Sequence, residues 1–220
     1  MDNFFIFEKL FLEIFFIKKF FEFILYTYCM RTLIINNNSR HLKQIISLFQ
    51  DAVVISRDQI KTTANTERFD CIVLTGGSDV PTVLRHPEYY REEIELVRTT
   101  RIPILGICLG CELIVASFGG SLHELDTAHR GEVELTITDQ SLATALGSNT
   151  LAVREGHTIG IAALPPQFES CAHSLHGTEI ITHNSLPIIG LQFHPEIDTN
   201  QQLFGWILDT IHTTKKNLLS

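Results

Sequence analysis

The sequence predicts an α/β fold: a mostly parallel central sheet between layers of helix, with an antiparallel strand region added to it. Three observations carry that reading. From Met30 onward, short apolar runs alternate with segments of helical periodicity, the pattern of βαβ units with right-handed crossovers. Two of those runs end in glycine-rich turns, Gly76-Gly77 and Gly106-Ile-Cys108-Leu-Gly110. In the second half the alternation gives way to short apolar runs separated by turns, as in antiparallel strands.

Taken in order, Thr32–Asn36 reads as the first strand, Ser39–Gln50 as a helix capped by Ser39, and Ala52–Ser56 as the second strand. Asp70–Thr75 is an apolar strand running into Gly76-Gly77-Ser78-Asp79. Glu88–Thr100 reads as a charged helix with a solvated acidic face, and it leads into the Ile102–Ile107 strand. Gly131–Thr138, Thr150–Val153, Phe168–Ser174, Thr178–Thr182 and Pro187–Phe193 read as the later strands. Thr199–Thr213 closes the domain as a helix with Leu203, Trp206, Ile207 and Ile211 on one face.

The first 29 residues differ from the rest, with nine of the 15 phenylalanines and neither Gly nor Pro. They lack the cleavage site of a secretory signal, and Glu8, Lys9, Glu13, Lys18, Lys19 and Glu22 interrupt the run that a spanning helix requires. Three readings stay open: an upstream start placed before Met30, an amphipathic helix, or a membrane anchor. The expected organisation is therefore an atypical extension over 1–29 and one domain over 30–220.

A net charge of −8 with no Lys/Arg cluster argues against a nucleic-acid partner. Five cysteines, at 29, 71, 108, 111 and 171, make an odd number in a chain too long for a disulfide scaffold. Reduced thiols and a cytoplasmic location follow as the expectation, with no membrane partner unless 1–29 anchors the chain.

Chemistry concentrates at Cys108. A strand, a sharp Gly-x-Cys-x-Gly turn and a helix together make a nucleophile elbow. At a helix N-terminus the dipole is expected to favour thiolate and lower the cysteine pKa. A base is offered by His194, placed after the Pro187–Leu191 run, and Glu196 is two residues on, where it can turn back to orient the imidazole. Oxyanion donors are expected from the N–H of Leu109 and from the Gly76-Gly77 turn, with Gly77 the donor. Cys108-Leu-Gly-Cys111 is also formally C-x-x-C, but no second such pair follows and Cys111 is expected to pack inward; no metal and no cofactor are expected. For most histidines a surface or structural role is the default. His157, and less so His129, are the exceptions.

Leu74-Thr-Gly-Gly77, Pro103-Ile-Leu-Gly-Ile-Cys108-Leu-Gly110 and Leu191-Gln-Phe-His194-Pro-Glu196, in that order and spacing, resemble the class I glutamine amidotransferases over roughly Arg31 to Ile211. The free-standing subunits are the nearer likeness, such as those of two-subunit GMP synthases. The resemblance implies a flavodoxin-like three-layer sandwich. It also implies that Cys108 attacks the glutamine side-chain amide, His194 protonates the departing ammonia and Glu196 orients His194, through a glutamyl thioester that is then hydrolysed. Gly76, Glu112 and His157 would contact substrate, and a separate synthetase subunit would take the ammonia. Three positions depart from the family pattern: Glu112 where Gln is usual, Gly156 where Ser commonly precedes His157, and Ser78 where Pro commonly follows the glycines. Glu112 leaves another γ-glutamyl amide open as substrate, and a non-catalytic binding homologue is the reading from a different class.

Overall fold

A computed structural model of the chain describes residues 30–61 and 68–218; the Phe-rich segment 1–29 lies outside the described residues. Among the described residues, nine strands form one sheet. They are β1 (Arg31–Asn36), β2 (Asp51–Ser56), β3 (Cys71–Leu74), β4 (Ile104–Ile107), β5 (Ser121–Ile137), β6 (Thr150–Ala163), β7 (Phe168–Ser174), β8 (Gly177–His183) and β9 (Ile188–Leu191). Their spatial order is β2-β1-β3-β4-β9-β8-β7-β5-β6. The first five in that order pair in parallel, and from β9 outward every pairing is antiparallel.

The parallel strands are short and apolar because both of their faces are covered. Alternation sends Leu33, Ile35, Ile72 and Leu74 into one core cluster and Ile34, Cys71 and Val73 into the other. Helices α2 (Arg91–Thr99) and α3 (Leu109–Ser117) cover the first face. Helices α1 (Leu42–Ser47), α4 (Gln140–Leu146) and α5 (Gln201–Leu218) contribute to the second cluster. This is the three-layer sandwich, a parallel core with an antiparallel extension, that the sequence predicts, although the extension reaches as far as the core and each contributes four strand pairings.

Local differences have local causes. The helix expected over Ser39–Gln50 shrinks to α1, because Ser39 serves the turn before it: Ser39 Oγ accepts from the His41 N–H at 3.1 Å, and no side chain caps α1. The solvated face expected on α2 is broken by Glu93, which is buried, and burial pushes its carboxyl up to about 7. Strands β5 and β6 run 17 and 14 residues, far beyond the short segments read from sequence. Their register breaks between Glu124 and His129.

Candidate active site

Strand β4 lies between β3 and β9 in parallel register, with Leu74 opposite Gly106 and Ile107 opposite Leu191. Everything that follows these three strands therefore emerges at one carboxyl edge of the sheet. Gly76-Gly77 leaves β3, Cys108 leaves β4, and Gln192-Phe193-His194 leaves β9. The Cys108 N–H donates to the Leu191 carbonyl at 2.7 Å, so the ladder holds through the elbow itself.

Cys108 takes φ +51° and ψ −106°, a conformation that costs a non-glycine residue of order 1–3 kcal/mol. Close glycine packing sustains it. A Cβ on Gly110 would run into the backbone of Leu74, and one on Gly190 would lie 2.6 Å from Cys111 Sγ. Helix α3 can thus sit directly on β3 and β9, almost wholly buried, with Cys111 packed inward as expected.

The three groups picked out at the elbow are brought together. A Cβ added to Gly76 would lie 3.0 Å from His194 Cε1 and 3.5 Å from Cys108 Cβ, so Gly76 occupies the narrow gap between imidazole and nucleophile. His194 Nδ1 meets Glu196 Oε1 at 2.8 Å, which leaves Nε2 available for proton exchange. The His194 N–H donates to the Arg154 carbonyl at 2.9 Å. His41, at the start of α1, stands edge-on to the His194 ring with centroids 5.5 Å apart, a neighbour the sequence does not signal. Gly77 backs directly onto the Leu109 side chain, so the two expected oxyanion donors are adjacent.

The electrostatics correct one expectation. Burial, then the Glu112 carboxyl, push the Cys108 thiol well above its ordinary value, and the Leu109 N–H only partly offsets them. A helix N-terminus does not make a thiolate where the site is dry and acidic. Glu112, one turn into α3, is 4% exposed. Its Oε1 accepts from Gln192 Nε2 at 3.3 Å, and burial pushes its carboxyl up to about 7.

His157 does not face the catalytic imidazole, although it is close enough to Glu112 to favour the ionised form of that carboxyl. Gly156 covers the imidazole instead, since a Cβ there would lie 3.5 Å from both Cδ2 and Nε2 of His194. Strand alternation turns Glu155 and His157 to the opposite, buried side of β6. There Glu155 meets His176 Nδ1 at 2.8 Å and His157 Nε2 at 3.7 Å. Burial pushes Glu179, from β8, upward, and the Glu155 charge adds to it. His129 stacks on His176 with centroids 3.4 Å apart. Glu155 and Glu179 carry no signal in the sequence, and Gly156 carries one only as a departure from the family pattern. Gln192 carries one only as part of the Gln-Phe-His-Pro-Glu segment.

An α/β sheet with an elbow cysteine, and a histidine–carboxylate pair on the neighbouring strand, defines the class of amide-cleaving thiol proteins. Comparison with known proteins narrows this. Residues 34–207 match the family model "Glutamine amidotransferase class-I". The chain is 33% identical over 168 residues to a glutamine-hydrolyzing GMP synthase subunit of Methanospirillum hungatei, covering 74% of this chain and 85% of that one. It is 29% identical over 184 residues to the corresponding subunit of Methanococcoides burtonii, covering 80% and 93%. Among solved structures, a Thermotoga maritima glutamine amidotransferase shares the fold with a TM-score of 0.60 at 20% identity, over 87% of this chain and 86% of that one. A Thermoplasma acidophilum protein described as a GMP synthase subunit does so with a TM-score of 0.71 at 22% identity, over 87% and 97%. The chain belongs to the class I glutamine amidotransferases. It is a glutamine-hydrolysing enzyme, and among the described residues no helix is long and apolar enough to cross a membrane.

Proposed function

We propose that Cys108, His194 and Glu196 hydrolyse the glutamine side-chain amide and that the ammonia passes to a separate GMP synthetase subunit. The observation that carries this is the seating of Cys108 on β4, between the strand that ends in Gly76-Gly77 and the strand that ends in His194. The resting nucleophile is a thiol, so His194 Nε2 takes its proton as Sγ attacks the amide carbonyl. Glu196 fixes Nδ1–H toward itself and stabilises the imidazolium. The N–H groups of Leu109 and Gly77 receive the oxyanion, each worth about 3–4 kcal/mol in comparable sites. Collapse of the tetrahedral adduct breaks the C–N bond, and imidazolium gives its proton to the leaving nitrogen. A water, deprotonated by His194, then attacks the thioester, and the imidazolium returns that proton to the departing Cys108 Sγ as glutamate is released.

Gly76 leaves room for the substrate amide beside Cys108. Glu112 does not need to recognise an ammonium group for this reading. Protonated in its buried site, it presents one oxygen acceptor and one donor, as the usual Gln would, and this supports glutamine over another γ-glutamyl amide. His157 acts through Glu112, whose ionised form it favours, and through the backbone of Gly156 that covers His194. The synthetase assignment rests on what the relatives' names say of them.

The test is ammonia and glutamate release from glutamine by wild type and Cys108→Ala, with and without a GMP synthetase partner, and with γ-glutamyl amines as competitors. Wild type is expected to hydrolyse glutamine preferentially and Cys108→Ala to be inactive. Failure to cleave any of these amides, in either setting, would overturn the reading.

A further inference from the structure

We propose that Glu155, His157 and Glu179 form a divalent-cation site of the zinc class, whose ion ties β6 to β8 behind the catalytic histidine. The two strands are not neighbours in the sheet, because β7 and β5 separate them. Yet the curl of the extension brings one ligand-capable atom from each of the three residues to within 4.8 Å of the others. Any triangle with such sides has a point within about 2.8 Å of all three atoms, and zinc–nitrogen and zinc–oxygen bonds of about 2.0–2.2 Å require each atom to move in by only ~0.7 Å.

The side chains are set up as ligands are. His157 Nδ1 lies 2.8 Å from the Ile159 carbonyl, an acceptor, so Nδ1 carries a proton and Nε2 is the ring atom that faces Glu155, where the carboxylate favours a second proton that a bound cation displaces. Glu155 and Glu179 are in turn held by His176 Nδ1 at 2.8 Å and Ser174 Oγ at 2.9 Å. An outer hydrogen bond on every ligand is what orients the coordinating groups in metal sites. The inner atoms have no such partner: Glu155 Oε1, His157 Nε2 and Glu179 Oε2 are buried without a hydrogen bond. All three residues are at least 94% buried. The 3.7 Å between His157 Nε2 and Glu155 Oε2, the oxygen that His176 also holds, exceeds a charged hydrogen bond, for which about 2.8 Å is usual, and it approaches the edge of roughly 3.3 Å in a tetrahedral zinc site. One dication neutralises both carboxylates by displacing the proton that burial and the Glu155 charge keep on Glu179.

The position gives the ion a consequence for catalysis, one that rests on the amidotransferase reading, whereas its binding does not. Residue 154, next to Glu155, supplies the carbonyl that receives the His194 N–H. The Glu179 carbonyl receives the Gln192 N–H at 2.8 Å. Glu155, His157 and Glu179 are therefore positioning residues, and the ion fixes the backbone on which His194 hangs.

The full chain carrying Cys108→Ala, which removes the catalytic thiol as a competing ligand, should be stripped with chelator and titrated with Zn²⁺ against a chromophoric competitor. A Co²⁺ absorption spectrum should be recorded in parallel. Expected are one equivalent of Zn²⁺ and a cobalt spectrum without thiolate charge transfer. Glu179→Gln, nearly isosteric and checked for fold by circular dichroism, should weaken binding by more than about 100-fold, as should His157→Ala, and His176→Ala by about 10–100-fold. The proposal is overturned if Zn²⁺ binds only in the millimolar range, or if folded Glu179→Gln binds as tightly as its parent. It is also overturned if His129→Ala abolishes binding while Glu179→Gln does not, because the ion would then lie with His129, Glu155 and His176. These readouts do not depend on glutamine turnover.

Discussion

The Cys108 N–H donates to the carbonyl of Leu191 at 2.7 Å, joining the nucleophile's own backbone to the strand that delivers His194 three residues later. The distance between nucleophile and base is thus set by sheet pairing rather than by two independent loops. Parallel pairing of Gly106 with Gly190 immediately beneath that bond allows α3 to settle onto both strands. Changes to the glycines under α3 should therefore reach the chemistry as well as the fold.

Gly110→Ala would drive a methyl group into the Leu74 backbone, which has no rotamer to yield. We expect a loss of about 3 kcal/mol in chemical denaturation, together with loss of activity. Gly190→Ala meets Cys111 Sγ at 2.6 Å and Ile181 Cγ1 at 2.8 Å, side chains that can shift, so a smaller loss of about 1–2 kcal/mol is expected. Equal costs for the two would contradict this account of α3 packing.

Glu196→Gln keeps the shape of the side chain and removes the charge that faces His194 Nδ1 at 2.8 Å. Steady-state kinetics should give a kcat lower by about 10²–10⁴-fold with KM little changed. A KM effect alone would instead assign Glu196 to binding.

Glu112 makes stability depend on pH with a definite sign. Its carboxyl keeps its proton to about pH 7 in the folded chain, against 4.5 for an ordinary glutamate. Between those values the native state binds more protons than the unfolded state, so stability falls as pH rises. Glu93, also held near 7, adds to the same trend. Glu112→Gln retains an oxygen to accept from Gln192 and carries no charge, so thermal melts should show it stabilised above pH 7 by on the order of 2–3 kcal/mol, the gain falling to near zero at about pH 4 and below. Above pH 7, where the wild-type carboxyl is ionised, it should also raise the reactivity of Cys108 toward iodoacetamide, because the Glu112 charge is among the causes that hold the thiol protonated. No change in either measurement would remove Glu112 from both roles.

Gly156→Ser should leave the fold intact, to within about 0.5 kcal/mol, since an added Cβ meets His194 at an ordinary 3.5 Å. The hydroxyl would stand beside His194 Nε2 and should shift the pH–rate profile. A bulky Gly156→Leu should displace the ring and abolish turnover while the protein still melts cooperatively.

The parallel half of the fold is legible because its strands are buried on both faces, and such strands are written as unbroken apolar runs between turns. β5 and β6 are not. Along the buried side of β6 the order is Leu151, Val153, Glu155, His157, Ile159, so the apolar alternation stops at Val153, and the strand visible in the sequence ends there. The same two polar residues that hide the strand make up most of the proposed cation site. Glu93 escapes notice for a related reason: a carboxylate in a charged helix carries no mark of the one helical position that turns inward.

By itself the sequence determined that there is an elbow cysteine, that a histidine–glutamate pair follows the last strand, and that both belong to one α/β sheet. Local spacing suffices for this, since a strand, a glycine turn and a helix are short-range features. Only the tertiary structure decided that β4 lies between β3 and β9, that Gly156 rather than His157 covers the imidazole, and that the Cys108 thiol stays protonated. It alone gathers Glu155, His157 and Glu179 from strands that are not neighbours. Those outcomes depend on burial and on which strands adjoin, and both arise from long-range packing that no local pattern records.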